Sequence, residues 1–219
     1  MIKYCTNMSL LDVYPIREPM VVAEYMNPIA LGKIFVEIDN PKSGDIAKCI
    51  SKSARHTYVI ENDKKNCLSL TSRNIDVICN QLNRFTYNTT LIKADVYYWW
   101  SQPGMNLPYI RWIRDFLYER QLEADVYFAF DSHMTEDVLQ IAKQLKFLKY
   151  KFGNRSTIKR LLFDEQEGEG LFPNNSSIPG DAASYSTPFF NRHGKWGVFH
   201  IMHAHINGKD ESSKRWHWP

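Results

Sequence analysis

"ADVYYWW" (residues 94–100) and "ADVYFAF" (residues 124–130) are the two stretches of sequence that decide the fold. Both are nearly continuous apolar runs, as strands buried on both faces of a sheet require. Between them, residues 107–120 place leucine and isoleucine at helical spacing. The order strand, helix, strand predicts two neighbouring parallel strands joined by a crossover helix.

The segments around this unit have weaker patterns. In the first 60 residues, short apolar runs such as "PMVVAEYM" (residues 19–26) and the turn signals between them predict antiparallel strands with one or two short helices. The segment "CLSL" (residues 67–70) is predicted to be a strand as well. Apolar side chains recur at helical spacing in residues 72–85 and 135–148, so each segment is predicted to form a helix.

These elements predict a mixed α/β fold. We expect a central mixed sheet with parallel strands joined by crossover helices, antiparallel amino-terminal strands and a carboxyl-terminal hairpin. Residues 1–154 would form the α/β core domain. Residues 155–219 would supply a long polar excursion and an aromatic, histidine-rich hairpin packed on the core, with one strand ending at Asn207.

Composition excludes several classes of protein. The chain has 219 residues, of which 44% are hydrophobic, and this is enough to build a core and argues against disorder. A net charge of +3 with dispersed basic residues allows contact with nucleic acid without arguing for it. We find no signal peptide and no apolar run long enough to cross a membrane, so we expect a soluble, cytoplasmic protein. The four cysteines lack metal-site spacing and are predicted to be reduced thiols.

The loop "WSQPGMN" (residues 100–106) is the first candidate site. It joins the end of a buried strand to the start of a helix, where free backbone N–H groups favour an anion. In open α/β sheets, ligands collect outside such carboxyl ends. The loop therefore predicts a binding site for an anionic ligand.

From this loop to "AKQLKFLKYKFG" (residues 142–153), the chain resembles the acyl-CoA N-acyltransferase (GNAT) superfamily. The resemblance covers residues 91–154. It departs from the family pattern at the second glycine of the loop, at the general-acid tyrosine (Ala142 here) and at the glycine of the closing motif (Lys146 here).

The resemblance implies an enzyme that transfers an acyl group from acetyl-CoA or another acyl-CoA to an amine of a protein, a nucleobase or a small molecule. It implies that the cofactor would lie against Trp100, Gln102, Gly104, Met105, Asn106 and Leu107. The tripeptide "DSH" after the second strand would then supply the acid or base beside the acyl group, through Asp131, Ser132 or His133. The alternative is that Asp131 or Ser132 only caps the helix that follows.

Histidines near the carboxyl end form a second candidate site. In "VFHIMHAHI", strand alternation puts His203 and His205 on one face and His200 on the other. Two such histidines can share a metal ion, and His-hydrophobe-His is also the metal-binding signature of strand-nicking nucleases. The alternative is that these imidazoles form only structural hydrogen bonds. We favour this alternative and predict no bound metal.

A non-enzymatic role is the third possibility. Aromatic chains with long polar excursions suit assembly proteins, including those of viruses and phages, whose exposed apolar surface is covered by neighbouring subunits. A homo-oligomer or an assembly partner would then contact the indole rings of Trp196, Trp216 and Trp218. The basic and aromatic ending "KRWHWP" could also stack on nucleic-acid bases.

Overall fold

The computed structural model describes residues 12–13, 16–17, 19–39, 44–70, 72, 74–100, 104–131, 156–160, 184–190 and 196–209. Its helices are α1 (Pro19–Ala30), α2 (Asp45–Ile50), α3 (Lys64–Leu70), α4 (Tyr87–Thr90) and α5 (Asn106–Glu119). Its strands are β1 (Asp12–Val13), β2 (Ile16–Arg17), β3 (Ile34–Ile38), β4 (His56–Glu61), β5 (Ile75–Cys79), β6 (Val96–Trp100), β7 (Glu123–Asp131), β8 (Ser156–Arg160), β9 (Ser184–Phe190) and β10 (Trp196–Asn207).

Eight of these strands form one sheet in the order β5-β4-β3-β6-β7-β10-β8, with β9 also paired to β10. The first five strands of this order run parallel. Strand β10 is antiparallel to β7, β8 and β9. The predicted fold class, a mixed α/β fold with parallel strands and crossover helices, is therefore confirmed.

The two apolar stretches at residues 94–100 and 124–130 form neighbouring parallel strands, as predicted. Strand β6 pairs with β7 from Val96 opposite Asp125 to Trp100 opposite Ala129, and helix α5 is the crossover between them. Every residue of β6 is buried because both faces of the sheet are covered. Side chains alternate between the two cores, so that Trp99 packs towards α5 and Trp100 packs towards α1 and α2.

Several local predictions in the amino-terminal half were wrong. Residues 19–26 belong to helix α1, in which Val22, Met26 and Ala30 recur every four residues and face the sheet. A short apolar run fits either a strand or a helix, but Pro19 at the first helical position favours the helix. The segment at residues 67–70 lies in α3 and is also helical.

The predicted helix over residues 72–85 is instead the edge strand β5. Its core is "IDVI", and the β-branched side chains pack to opposite faces of the sheet, with Ile75 on one side and Ile78 on the other. Strands β3 and β4 are parallel rather than antiparallel. Among the amino-terminal strands that the structure describes, only the two-residue pair of β1 and β2 is antiparallel.

The prediction of reduced cysteines was also wrong, since Cys67 and Cys79 form a disulfide. Helix α3 and the end of β5 lie side by side. The Cα atoms of Cys67 and Cys79 are 5.8 Å apart, which is within the usual range for a disulfide. Cys49 is disulfide-bonded too. A pairing created by the packing of two elements leaves no signature in sequence spacing.

The carboxyl-terminal strand ends at Asn207, as predicted, and it pairs antiparallel with β9, which precedes it in the chain. The predicted hairpin turns instead at Asn207-Gly208, and its second strand would fall on residues that the structure does not describe. The predicted helix at residues 135–148, the aromatic arm beyond residue 209 and most of the polar excursion lie outside the described residues. Strands β8, β9 and β10 join the same sheet as the core strands, and the proposed division at residue 154 stays a prediction. No helix within the described residues has both the length and the apolar character needed to cross a membrane.

Candidate functional site

The order of the strands defines one crevice in the parallel part of the sheet. From β3 the chain crosses through α2 to β4 on one side, whereas from β6 it crosses through α5 to β7 on the other side. Strands β3 and β6 are direct neighbours, so their connections leave in opposite directions. In open α/β sheets this switch point is where ligands bind, just outside the carboxyl ends of the strands.

The end of β3 contributes a carboxylate held in an unusual backbone conformation. Asp39, which directly follows β3, has a φ of 51° and so lies in the left-handed region. Its backbone N–H donates to the carbonyl of Ile60 at 2.9 Å and ties the ends of β3 and β4 together. Its Oδ2 accepts a hydrogen bond from the hydroxyl of Tyr109 in α5. One hydrogen bond therefore holds the backbone of Asp39, and the other orients its carboxylate.

The end of β4 contributes a second carboxylate. Glu61, the last residue of β4, is 5% exposed. Its Oε1 accepts a hydrogen bond from the backbone N–H of Asp63 at 2.7 Å, whereas its Oε2 is buried and has no hydrogen-bond partner among the described residues. A buried polar atom without a partner costs about 1–3 kcal/mol. A ligand that donates a hydrogen bond to this oxygen would remove that cost.

Buried aromatic side chains pack together where the end of β6 meets the start of α5, next to the crevice. Trp99, near the end of β6, donates from Nε1 to Oδ1 of Asn106 at 2.8 Å, and both residues are buried. The indole ring stacks on Phe128, with ring centroids 5.2 Å apart, and meets Tyr109 edge-to-face at 5.7 Å. These contacts hold the first turn of α5 against the end of β6, which fixes the wall of the crevice.

The structure places five of the six predicted cofactor-binding residues at this edge of the sheet. Trp100 ends β6 and is 2% exposed, and Gly104 has a φ of 72° that suits glycine. Met105 precedes α5, and Asn106 begins it. Leu107 is partly buried against the core on the α5 side; Gln102 lies outside the described residues. The part that these residues play in binding stays a prediction.

The predicted catalytic residues follow β7. Asp131 is the last residue of that strand, so its backbone reaches the same carboxyl edge. Its side chain, together with Ser132 and His133, lies outside the described residues. Their catalytic role stays a prediction.

Sequence reasoning missed Asp39, Glu61 and Tyr109. A signal for the first two was present, since each of them is an acid at the end of an apolar strand, and Glu61 follows Asp39 by 22 residues. A spacing of about 20 residues between a first strand-to-helix turn and an acid is typical of nucleotide-binding sheets. No signal pointed to Tyr109, because its contact with Asp39 spans 70 residues of sequence.

The carboxyl-terminal histidines lie at the opposite edge of the sheet. Asp125, near the start of β7, has its Oδ1 at 3.0 Å from Nε2 of His203 and 2.9 Å from Nδ1 of His205. Burial raises the pKa of Asp125, but the hydrogen bonds and charges of the two imidazoles outweigh burial and lower this pKa to about 2. Within the described residues, no group of three or more His, Cys, Asp or Glu side chains is arranged to hold a metal ion. The side chain of His200 is not described.

The strand order defines the class of protein: an open, doubly wound α/β fold with a crevice at its switch point. No protein-family model matches the chain, and a search of curated proteins finds no match either.

Solved structures of methyltransferases do match. One is an RNA methyltransferase candidate from Pyrococcus horikoshii (TM-score 0.52, 8% identity, 86% of this chain and 81% of that chain covered). Another is the 23S rRNA methyltransferase ErmE (TM-score 0.53, 10% identity, 94% and 74% covered). At these identities the likeness shows the fold alone.

These findings correct the predicted function. The chain resembles methyltransferases in fold and not the GNAT superfamily, so the prediction of an acyltransferase using acetyl-CoA or another acyl-CoA was wrong. The order strand, loop, helix, strand misled because every crossover unit of a parallel sheet shares it. The alternatives, an assembly protein and a metal-dependent nuclease, are not supported by the comparisons either.

Proposed function

We propose that this protein is a methyltransferase that binds S-adenosylmethionine in the crevice between β3 and β6. The observation that carries this proposal is the buried Oε2 of Glu61, which has no partner among the described residues and lies at the end of the strand next to the switch point. In nucleotide-binding sheets, an acid at this place accepts hydrogen bonds from ribose hydroxyls. The methyltransferase neighbours support the same class of chemistry.

The residues of the crevice fit such a methyl donor. Glu61 would accept from the ribose, and the carboxylate of Asp39 on the adjacent strand end adds a second negative charge. When bound, S-adenosylmethionine supplies an electrophilic methyl group on a cationic sulfonium. The buried rings of Trp99 and Tyr109 keep water away from the wall beneath, and electrostatic attraction to the carboxylates is strengthened where water is excluded.

The methyl acceptor is the less defined half of the proposal. Both neighbours are named as methyltransferases of RNA. RNA is therefore the first class of acceptor to test. Three further expectations remain predictions: contact with nucleic acid, a homo-oligomer that uses Trp196, Trp216 and Trp218, and a cytoplasmic location.

Calorimetric titration with S-adenosylmethionine tests the proposal. We expect the wild-type protein to bind it, and Glu61→Gln to bind it at least tenfold more weakly. A hydrogen bond to a charged acceptor contributes about 1.5–3 kcal/mol, and each 1.4 kcal/mol is a factor of ten in affinity. Transfer of a labelled methyl group to total RNA, measured with the same two proteins, tests the reaction itself.

Asp95→Asn is the matched control. This acid lies on the opposite edge of the sheet, where its Oδ2 accepts the backbone N–H of Ile34 at 2.8 Å. The substitution removes one negative charge, as Glu61→Gln does, but far from the crevice. Affinity unchanged from wild type is expected for Asp95→Asn. A wild-type protein that does not bind S-adenosylmethionine, or equal binding by Glu61→Gln, would overturn the proposal.

A further inference from the structure

We propose that the Asp39 carboxylate, oriented by the Tyr109 hydroxyl, distinguishes the positively charged methyl donor from its neutral demethylated product. This inference rests on the proposed function and deepens it. It assigns the selectivity of the crevice to one side chain and gives Tyr109 the part of a positioning residue.

The first support is the backbone of Asp39. A φ of 51° is a conformation that glycine adopts freely and that other residues, apart from aspartate and asparagine, mostly avoid. Glycine at this position would give the same turn without strain. The chain instead carries a carboxylate at the switch point, and strained residues of this kind cluster at functional sites.

The second support is the way in which the carboxylate is held. Tyr109 is 2% exposed and wedged between Trp99 and Trp112, with ring centroids 5.7 Å from each. Because the ring is buried and packed on both sides, the hydroxyl that donates to Oδ2 of Asp39 orients the carboxylate. The bond from the Asp39 N–H to the carbonyl of Ile60 fixes its backbone. A group held this firmly can discriminate between ligands by charge.

The third support is the chemistry of the two ligands. S-Adenosylmethionine and S-adenosylhomocysteine have the same ribose and differ by a methyl group and by the positive charge on sulfur. Glu61, which would contact the ribose, treats both alike. A carboxylate on the adjacent strand end attracts the sulfonium and has no such attraction for the thioether. Glu61 would thus bind the ribose of either ligand, whereas Asp39 would favour binding of the donor and release of the product.

The experiment measures the dissociation constants of S-adenosylmethionine and S-adenosylhomocysteine for each variant. Asp39→Asn is the central substitution, because asparagine also tolerates the left-handed region and has nearly the same volume. We expect it to weaken donor binding about tenfold and to leave product binding close to wild type. Tyr109→Phe should change the ratio of the two constants in the same direction, by a smaller factor.

Tyr97→Phe is the matched control for Tyr109→Phe. Tyr97 is buried in the same core, but its hydroxyl donates to the backbone carbonyl of Ile92, away from the crevice. Its removal should leave the ratio of the two constants unchanged. A thermal unfolding curve for each variant confirms that it is folded.

The outcomes separate the two proposals. If Asp39→Asn weakens both ligands equally, or neither, the carboxylate does not read charge and this inference fails while the proposed function stands. If Tyr109→Phe changes the ratio no more than Tyr97→Phe does, the positioning role fails. If the wild-type protein binds neither ligand, the proposed function itself fails, and this inference fails with it.

Discussion

Replacing Gly208 with alanine should destabilise the fold by about 2–3 kcal/mol, because the new methyl group has no room. Gly208 directly follows β10 and lies against the last turn of α5 and the connection from α5 to β7. A Cβ atom there would lie 2.3 Å from the carbonyl oxygen of Leu117 and 2.7 Å from that of Leu122. Both neighbours are backbone atoms of packed elements, so neither can rotate away as a flexible side chain could.

The magnitude comes from two destabilising terms and one that offsets them. Overpacking of this kind costs about 1–3 kcal/mol. Moving the end of β10 outward also lengthens the hydrogen bond from the N–H of Gly208 to the carbonyl of Leu122, now 2.7 Å, and a bond of this kind contributes about 0.5–1.5 kcal/mol. Because alanine restricts the unfolded chain more than glycine does, this effect stabilises the variant by about 0.4–1 kcal/mol and offsets part of the loss. For a chain of this length the sum corresponds to a fall in Tm of about 5–10 °C.

Urea unfolding of Gly208→Ala beside Gly32→Ala measures the effect. Gly32 has a φ of +69°, but a Cβ there meets nothing within 4 Å, so Gly32→Ala carries backbone strain and the same unfolded-chain effect without a clash, a net loss of about 1 kcal/mol. The close approach predicts a clearly larger loss for Gly208→Ala. Equal losses in the two variants would refute the reasoning from contact distances.

Two further predictions concern stability. The pKa of Asp125 is lowered to about 2, so its ionised form stabilises the fold by about 2 kcal/mol above pH 4, and this contribution is lost as the pH falls towards 2. Urea midpoints of the wild type and Asp125→Asn should therefore differ near neutral pH and converge in acid; a constant difference would contradict this. The disulfide of Cys67 and Cys79 closes a loop of 12 residues and should contribute about 3 kcal/mol. Reductant should lower the urea midpoint of the wild type and have a smaller effect on a variant with serine at both positions.

The fold could be predicted where the sequence pattern reports burial directly. Strands β6 and β7 are apolar on both faces and α5 has a clear helical stripe, so their type, order and parallel pairing follow from local chemistry. Helix α1 and strand β5 were mistaken because a short apolar run is compatible with either structure, and the sheet decides which one forms. The position of β3 between β4 and β6 depends on pairings of distant segments, which no local pattern encodes.

The site could be predicted only in part, for a related reason. The sequence pointed to the carboxyl end of β6, and the switch point does lie there. The opposite wall comes from Asp39 and Glu61, which precede β6 by 57 and 35 residues, counted from Val96. Only the order of the strands brings those acids to the same crevice. A resemblance based on one strand-loop-helix unit therefore pointed to the carboxyl end of β6 but to the wrong ligand, and the part that the loop plays in binding stays a prediction.

The carboxylates at the amino ends of the parallel strands differ from those at the carboxyl ends in hydrogen bonding and backbone conformation. This difference argues for function at the carboxyl ends. At the amino-terminal edge the carboxylates are satisfied: Asp95 accepts the N–H of Ile34, and Asp125 is bonded by two imidazoles. At the carboxyl edge, Glu61 has a buried oxygen without a partner among the described residues, and Asp39 occupies a left-handed conformation. Each of these two features lowers stability, and a fold selected for stability alone would lose both through simple substitutions. Their concentration at the switch point is what a site shaped for a ligand requires.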